Sequence, residues 1–102
     1  MALTPATQTS PYPDSACLYM AMELSDRQWR LAFGAGHQVR QRVIAAGDVA
    51  ALVQEIATAK AKWGLLADTP VVSCYEAGRD GFWLHRQLLA LGIANRLVDA
   101  AS

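Results

Sequence analysis

The chain has 102 residues, of which 53% are hydrophobic and 18% are charged, and its formal net charge is +0. This composition is typical of one small globular domain and excludes a largely disordered chain. A self-sufficient nucleic-acid-binding domain usually has a basic excess, so the balanced charge argues against strong binding by this chain alone. The sequence has neither a signal-peptide pattern at its start nor an apolar run of membrane-spanning length, so we expect a soluble, cytoplasmic protein.

Residues 1–16 form a predicted tail ahead of the domain. Three prolines and five serine or threonine residues leave this segment little to bury. We therefore expect a disordered tail over residues 1–16. Residues 17–102 are interpreted as one truncated domain.

Three segments of strand length open the predicted domain. Residues 18–24 (LYMAMEL) are nearly all apolar, which favours a strand covered on both faces. Residues 28–34 alternate apolar and polar side chains, and residues 37–45 interleave valines with arginines as an edge strand does. Because short polar or glycine-containing turns separate these segments, the pattern predicts an antiparallel meander.

Two helices and two more strands follow the meander. Asp48 is a predicted N-cap, and an apolar stripe with helical spacing continues to Trp63, ahead of Gly64 as a stop. The remaining elements are predicted as a strand over 71–76, a helix over 82–91 and a strand over 93–99. The element order is therefore β-β-β-α-β-α-β.

The polarity of the third strand predicts how these elements form a sheet. If that strand is an edge, the fourth strand pairs in parallel with the free side of the first, and the fifth adds outside the fourth by a right-handed crossover. The predicted fold class is α/β, with a mixed five-stranded sheet in the order 3-2-1-4-5. This arrangement is ribonuclease-H-like.

Two glutamates lie near the carboxyl ends of neighbouring strands in this topology. Glu23 is in the first strand and Glu76 ends the fourth, so their side chains are expected to converge across a strand spacing of about 4.8 Å. Paired carboxylates at neutral pH need a shared proton or a cation, and hard oxygen ligands suit Mg²⁺ or Mn²⁺. Both are therefore candidate metal-ligating and catalytic residues, while a solvated surface glutamate is the alternative interpretation of each taken singly.

A family resemblance rests on the segment from Ser73 to Arg86 (SCYEAGRDGFWLHR), the leucine-rich helix and the NRLVDAAS end. These residues resemble the RuvC-like DEDD insertion-sequence transposases, the "IS one-ten" family related to the Piv invertase, over about residues 18–102. Glu76 matches the family's fourth-strand glutamate, and Glu23 stands where the family has its first aspartate. The resemblance implies cleavage and rejoining of DNA with Mg²⁺ or Mn²⁺, directed by a guide RNA that bridges donor and target.

The resemblance also implies that this chain carries an incomplete acidic cluster. The family's other two aspartates lie on a helix beyond the fifth strand, and Asp99 matches neither of them. The family's carboxyl-terminal domain, with its serine nucleophile, is absent as well. We therefore expect the chain to be inactive alone, and to form a homo-oligomer if an apolar sheet face is left open.

Arginines and tryptophans supply the remaining candidate contacts. Arg79 and Arg86 are candidate nucleic-acid contacts, with a solvated side chain as the alternative for each. Trp29, Trp63 and Trp83 are interpreted as core or half-buried anchors and not as base-stacking platforms. Two other functions stay open: a non-catalytic interaction or dimerisation module without metal, and a nucleotide-binding domain of the actin and sugar-kinase class. The second is disfavoured because residues 24–27 contain no glycine for a phosphate loop.

Overall fold

The computed structural model describes residues 17–76 and 81–98 of the chain. The elements, in chain order, are β1 Leu18–Leu24, β2 Gln28–Ala35, β3 Gln38–Ala45, α1 Val49–Lys62, β4 Val71–Glu76, α2 Gly81–Ala90 and β5 Ala94–Val98. The predicted order is confirmed, and the predicted bounds of β1 and β4 agree to the residue. The predicted tail over 1–16 lies outside the described residues, as do Arg79 and Asp99.

The five strands form one mixed sheet in the order β3-β2-β1-β4-β5. Both β1 with β2 and β2 with β3 pair antiparallel, whereas β1 with β4 and β4 with β5 pair parallel. The predicted α/β fold class and strand order are thus confirmed. The interleaved arginines of β3 indicated an edge strand correctly.

Both helices pack on the same face of the sheet, which we call the helix-covered face. Alternate residues of each strand point to this face, as the period of two requires. In β1, for example, Leu18, Met20 and Met22 are buried. One buried cluster joins strands and helices, and its largest fully buried side chains outside β1 are Trp29, Leu31, Phe33, Leu52, Leu84 and Leu88.

Local signals in the sequence set both ends of α1. The side chain of Asp48 accepts a hydrogen bond from the backbone N–H of Ala51 at 3.0 Å, which is the predicted N-cap. Gly64 has a φ of 68°, a left-handed conformation that glycine adopts without strain, and it ends the helix as predicted. Within the described part of the chain, neither helix combines the length and apolarity that crossing a bilayer requires.

The opposite face, which we call the open face, corrects the prediction that β1 is covered on both sides. Among residues 17–76 and 81–98, no helix packs on this face, and Tyr19, Ala21 and Glu23 of β1 are exposed there. The prediction was wrong because alanine and tyrosine count as apolar in a sequence pattern. A small or amphipathic side chain tolerates water far better than leucine does.

Candidate functional site

The open face consists of three cross-strand rows, which follow directly from the strand pairing. The first, the apolar row, contains Val39, Gly34, Tyr19, Val72 and Ala94. The second, the small row, contains Gln41, Ala32, Ala21, Cys74 and Arg96. The third, the charged row, contains Val43, Arg30, Glu23, Glu76 and Val98. Charge is therefore concentrated at the end of the face where the parallel strands β1 and β4 finish.

The charged row brings the two candidate glutamates to equivalent positions of neighbouring parallel strands. Met22 pairs with Tyr75, and Glu23 and Glu76 are the next residue of β1 and of β4. Both side chains are exposed, and both belong to the alternate set that faces away from the helices. The sequence thus predicted correctly that these positions adjoin at one strand end. Their role as metal ligands stays a prediction.

Arg30 lies beside the first of these carboxylates, a pairing that was not predicted from the sequence. The Nη1 atom of Arg30 is 3.7 Å from the Oε1 atom of Glu23, and their side chains are 63% and 77% exposed. Exposed ion pairs of this kind contribute little to stability, because water screens the attraction and two long side chains lose freedom. The β1–β2 hairpin register, which opposes Glu23 to Arg30, was the signal that could have found it.

Arg40 and Arg42 of β3 have different surroundings from those of Arg30. Arg40 and Arg42 point to the helix-covered face, where their guanidinium nitrogens lie 3.7 and 3.3 Å from Oε1 of Glu55 in α1. Arg30 points to the opposite face. These contacts make Arg40 and Arg42 part of the packing between β3 and α1.

The candidate nucleic-acid contacts fall elsewhere. Arg86 is exposed on α2, which covers the other face of the sheet, so it does not share the face of the glutamates. Arg79 lies outside the described residues. The structure therefore brings together Glu23 and Glu76, and it places Arg86 away from them.

The two glutamates fit part of a divalent-cation site but not a whole one. Their carboxylate oxygens are the ligands that Mg²⁺ prefers, and Mg²⁺ is commonly held by one or two carboxylates with water and phosphate completing the shell. Over residues 17–76 and 81–98, no three histidine, cysteine, aspartate or glutamate side chains come close enough to hold a metal ion. Further ligands would have to come from outside these ranges.

Small side chains create a shallow cavity next to the charged row. It has a volume of ≈ 370 Å³ and is lined by Tyr19, Ala21, Ala32, Cys74 and Arg96 among others. Its walls are mostly apolar, because the small row exposes methyl groups and a glycine follows in the apolar row. Apolar surface next to charge is common where a folded domain contacts another element or molecule.

A buried chain of side-chain hydrogen bonds on the helix-covered face was not predicted from the sequence. The Ser73 hydroxyl donates to Oδ1 of Asn95 at 2.7 Å, and Nδ2 of Asn95 donates to Nδ1 of His85 at 3.0 Å. Because an amide nitrogen only donates, His85 accepts at Nδ1 and a neutral ring holds its proton at Nε2. The chain links β4, β5 and α2. Ser73 and Asn95 lie opposite each other at inward positions of β4 and β5, and polar residues at such positions are the sequence signal for this chain of hydrogen bonds.

Comparison with known proteins identifies one informative relative. The chain is 36% identical to "Putative transposase y4rJ" of Sinorhizobium fredii (strain NBRC 101917 / NGR234) over 104 aligned positions, which cover 95% of this chain and 26% of the relative. The chain thus spans about a quarter of the length of that protein. No family model matches the chain, and no solved structure matches it significantly. The similarity supports a transposase-related function.

Proposed function

We propose that this chain is the amino-terminal, RuvC-like part of a DNA transposase of the DEDD insertion-sequence group. In this proposal Glu23 and Glu76 contribute two ligands to the divalent-cation site that cleaves and rejoins DNA. The observation that carries the proposal is the pairing of β1 with β4, which sets the two glutamates side by side on the open face. The similarity to a relative named as a transposase supports the same conclusion independently of the geometry.

The residues of the charged row explain how such a site would work. Mg²⁺ or Mn²⁺ bound there would supply positive charge to the attacking and leaving oxygens of phosphoryl transfer. Glu23 and Glu76 lie on strands of the sheet, so the backbone that carries each carboxylate is already in place and only the side chains have to be ordered when the site forms. Arg30 neutralises Glu23 in the free chain, and its exposed guanidinium is free to turn towards a DNA phosphate once Glu23 binds a cation.

The chain supplies only part of the proposed enzyme. The resemblance places two further carboxylates on a helix beyond β5 and a serine nucleophile in a second domain. We therefore propose that the chain is inactive alone, and that DNA and a guide RNA in the cytoplasm are partners of the longer protein. Specific DNA cleavage by the 102-residue chain with Mn²⁺ would contradict this part of the proposal.

Calorimetric titration of the chain with Mn²⁺ tests the proposed ligands. We expect saturable binding to one site, and we expect Glu23→Gln and Glu76→Gln each to weaken it by about tenfold, because ligand charge sets the affinity of such sites. Glutamine keeps the size and shape of the side chain while removing its charge. Asp68→Asn is the matched control, because Asp68 is exposed in the loop that precedes β4, at the opposite end of that strand.

The outcome of this titration is decisive in both directions. Equal effects of the two glutamine substitutions, with no effect of Asp68→Asn, would support one shared site. Heat that survives the double substitution, or that Asp68→Asn reduces as much as the glutamine substitutions do, would overturn the assignment of Glu23 and Glu76 as metal ligands.

The open face also favours a second candidate function, a non-catalytic interaction module that forms a homo-oligomer. The apolar row remains uncovered among the described residues, and Val39 in it is 72% exposed. Sedimentation velocity and Mn²⁺ titration test this candidate. It is favoured by a metal-independent dimer that Val39→Asp and Tyr19→Asp dissociate, together with a Mn²⁺ titration that produces no heat. A monomer that binds Mn²⁺ would favour the transposase site.

A further inference from the structure

The solvent-facing side of α2 has an unusual composition for an exposed helix surface. Leu84 and Leu88 point into the core. On the outer side, Phe82 is 67% exposed and Trp83 is 42% exposed, and Arg86 follows one helical turn later. Residues three and four apart are neighbours on a helix, so Arg86 can reach either ring. We call Phe82, Trp83 and Arg86 the aromatic–arginine patch.

One ring of the patch is held in place by the core. The indole of Trp83 packs against the buried indole of Trp29, with ring centroids 6.4 Å apart and ring planes tilted by 37°. The interpretation of Trp83 as a half-buried anchor is therefore confirmed, and the exposed part of its ring stays in contact with water. An aromatic ring fixed before binding loses little conformational entropy when a ligand stacks on it.

The charge of the patch favours one class of partner. The segment GFWLHRQLLA of α2 contains Arg86 and no acidic residue, so this helix itself presents an attractive charge to a polyanion. A second copy of the chain packed symmetrically on this surface would set two arginines against each other, and an apolar partner would desolvate a guanidinium. Nucleobases stack on aromatic rings and on guanidinium planes, and their phosphates pair with arginine.

The patch also lies near the end of the sheet at which β4 finishes with Glu76. Helix α2 begins at Gly81, after β4 ends at Glu76, so its first turn lies beyond the strand end that carries the paired glutamates. The glutamates face one side of the sheet and α2 covers the other. A flexible strand bound at the first turn of α2 can therefore pass over the strand ends towards the charged row.

We propose that the aromatic–arginine patch binds unpaired bases of a single-stranded nucleic acid. This inference rests on the proposed function, which supplies nucleic acid as the partner. It adds a binding surface that the carboxylate site does not contain. DNA and RNA single strands share the chemistry that the patch recognises, and the two are separated by experiment.

Fluorescence anisotropy with the full chain tests the patch, using labelled dT15 and rU15 as probes at low salt and in EDTA. We expect Phe82→Ala to weaken binding by about tenfold, the loss typical of one stacking ring. Arg86→Gln should weaken binding and lower the slope of log Kd against log salt by about 0.7, because one phosphate contact to a single strand is lost. A 15-base-pair duplex should not compete. The probe that binds more tightly, dT15 or rU15, identifies whether the patch prefers DNA or RNA.

Two variants keep the test clear of folding effects. Leu89→Ala removes a side chain that is 49% exposed on the same helix and has no ring, so we expect binding within about twofold of the original. Trp83→Phe keeps a smaller ring against Trp29, so it should weaken binding less than Phe82→Ala does. Thermal melting of each variant confirms that the domain is folded.

Three results would overturn the inference: binding too weak to measure, equal losses for Phe82→Ala and Leu89→Ala, or an unchanged salt slope for Arg86→Gln. A dimer that Phe82→Ala dissociates would instead assign the surface to a second copy of the chain. Because EDTA removes divalent cations, Glu23→Gln with Glu76→Gln should not weaken the binding of dT15. Failure of the metal site and failure of the patch are thereby distinguishable.

Discussion

Neighbouring residues of the central strands have opposite roles on the two faces of the sheet. On the helix-covered face these strands present large side chains such as Met20, Leu31 and Phe33, all fully or almost fully buried. On the open face they present Tyr19, Ala21 and Ala32, which leave a shallow cavity. The charged row lies on the open face alone. Stability is therefore concentrated on one face, and the candidate chemistry on the other.

The difference shows how a small domain can carry exposed acidic residues without losing its fold. A buried unpaired carboxylate is strongly unfavourable, whereas Glu23 and Glu76 remain in water at the strand ends. The rigid sheet beneath them is stabilised by contacts on the other face. Substitutions at adjacent positions of one strand should consequently have very different effects.

The largest expected effect belongs to the core side of β2. Replacing the fully buried Leu31 with alanine should lower the free energy of unfolding by about 2–5 kcal/mol, because it removes apolar contacts and leaves a cavity. On the open face, Val39→Ala should change it by less than about 0.5 kcal/mol. Urea denaturation followed by tryptophan fluorescence measures both. Similar losses for the two variants would break the comparison between the faces.

A smaller effect is expected from the buried polar chain. Asn95→Ala leaves the Ser73 hydroxyl and His85 without their shared partner and should destabilise the domain by about 1–3 kcal/mol. The next residue, Arg96, is exposed on the open face, so Arg96→Ala should have little effect on the same urea curve. If Arg96→Ala were the more harmful of the two, the assignment of stability to the helix-covered face would be wrong.

The smallest effect on stability should come from the charged row itself. Arg30→Gln removes an exposed ion pair and should change the free energy of unfolding by less than about 1 kcal/mol. The same substitution removes a positive charge beside Glu23, so Mn²⁺ should bind more tightly in calorimetry. Arg27→Gln, in the turn between β1 and β2, is the matched control. Weaker Mn²⁺ binding by Arg30→Gln would contradict the placement of the cation beside Glu23.

Most of the architecture could be predicted because each element has a strong local signal. Asp48 and Gly64 mark the ends of α1, and the arginines of β3 mark an edge, which leaves few ways to complete the sheet. The adjacency of Glu23 and Glu76 follows from that topology. A pattern of apolar and polar residues is enough to determine which strands are neighbours.

The occupancy of the second face could not be predicted in the same way. Tyr19 and Ala21 count as apolar whether or not a helix covers them. The sequence of β1 therefore does not show that no helix of the described residues packs on this face. The Glu23–Arg30 pair and the Ser73–Asn95–His85 chain depend on side-chain geometry across strands. Such contacts become visible once the register is known.

Paramagnetic broadening by Mn²⁺ in amide NMR spectra tests the central claim most directly. The claim is that Glu23 and Glu76, 53 residues apart in the chain, bind one cation together. If it is correct, substoichiometric Mn²⁺ will broaden the amide signals of both residues in parallel. Broadening confined to one of them, or centred on another carboxylate such as Asp68, would contradict the account.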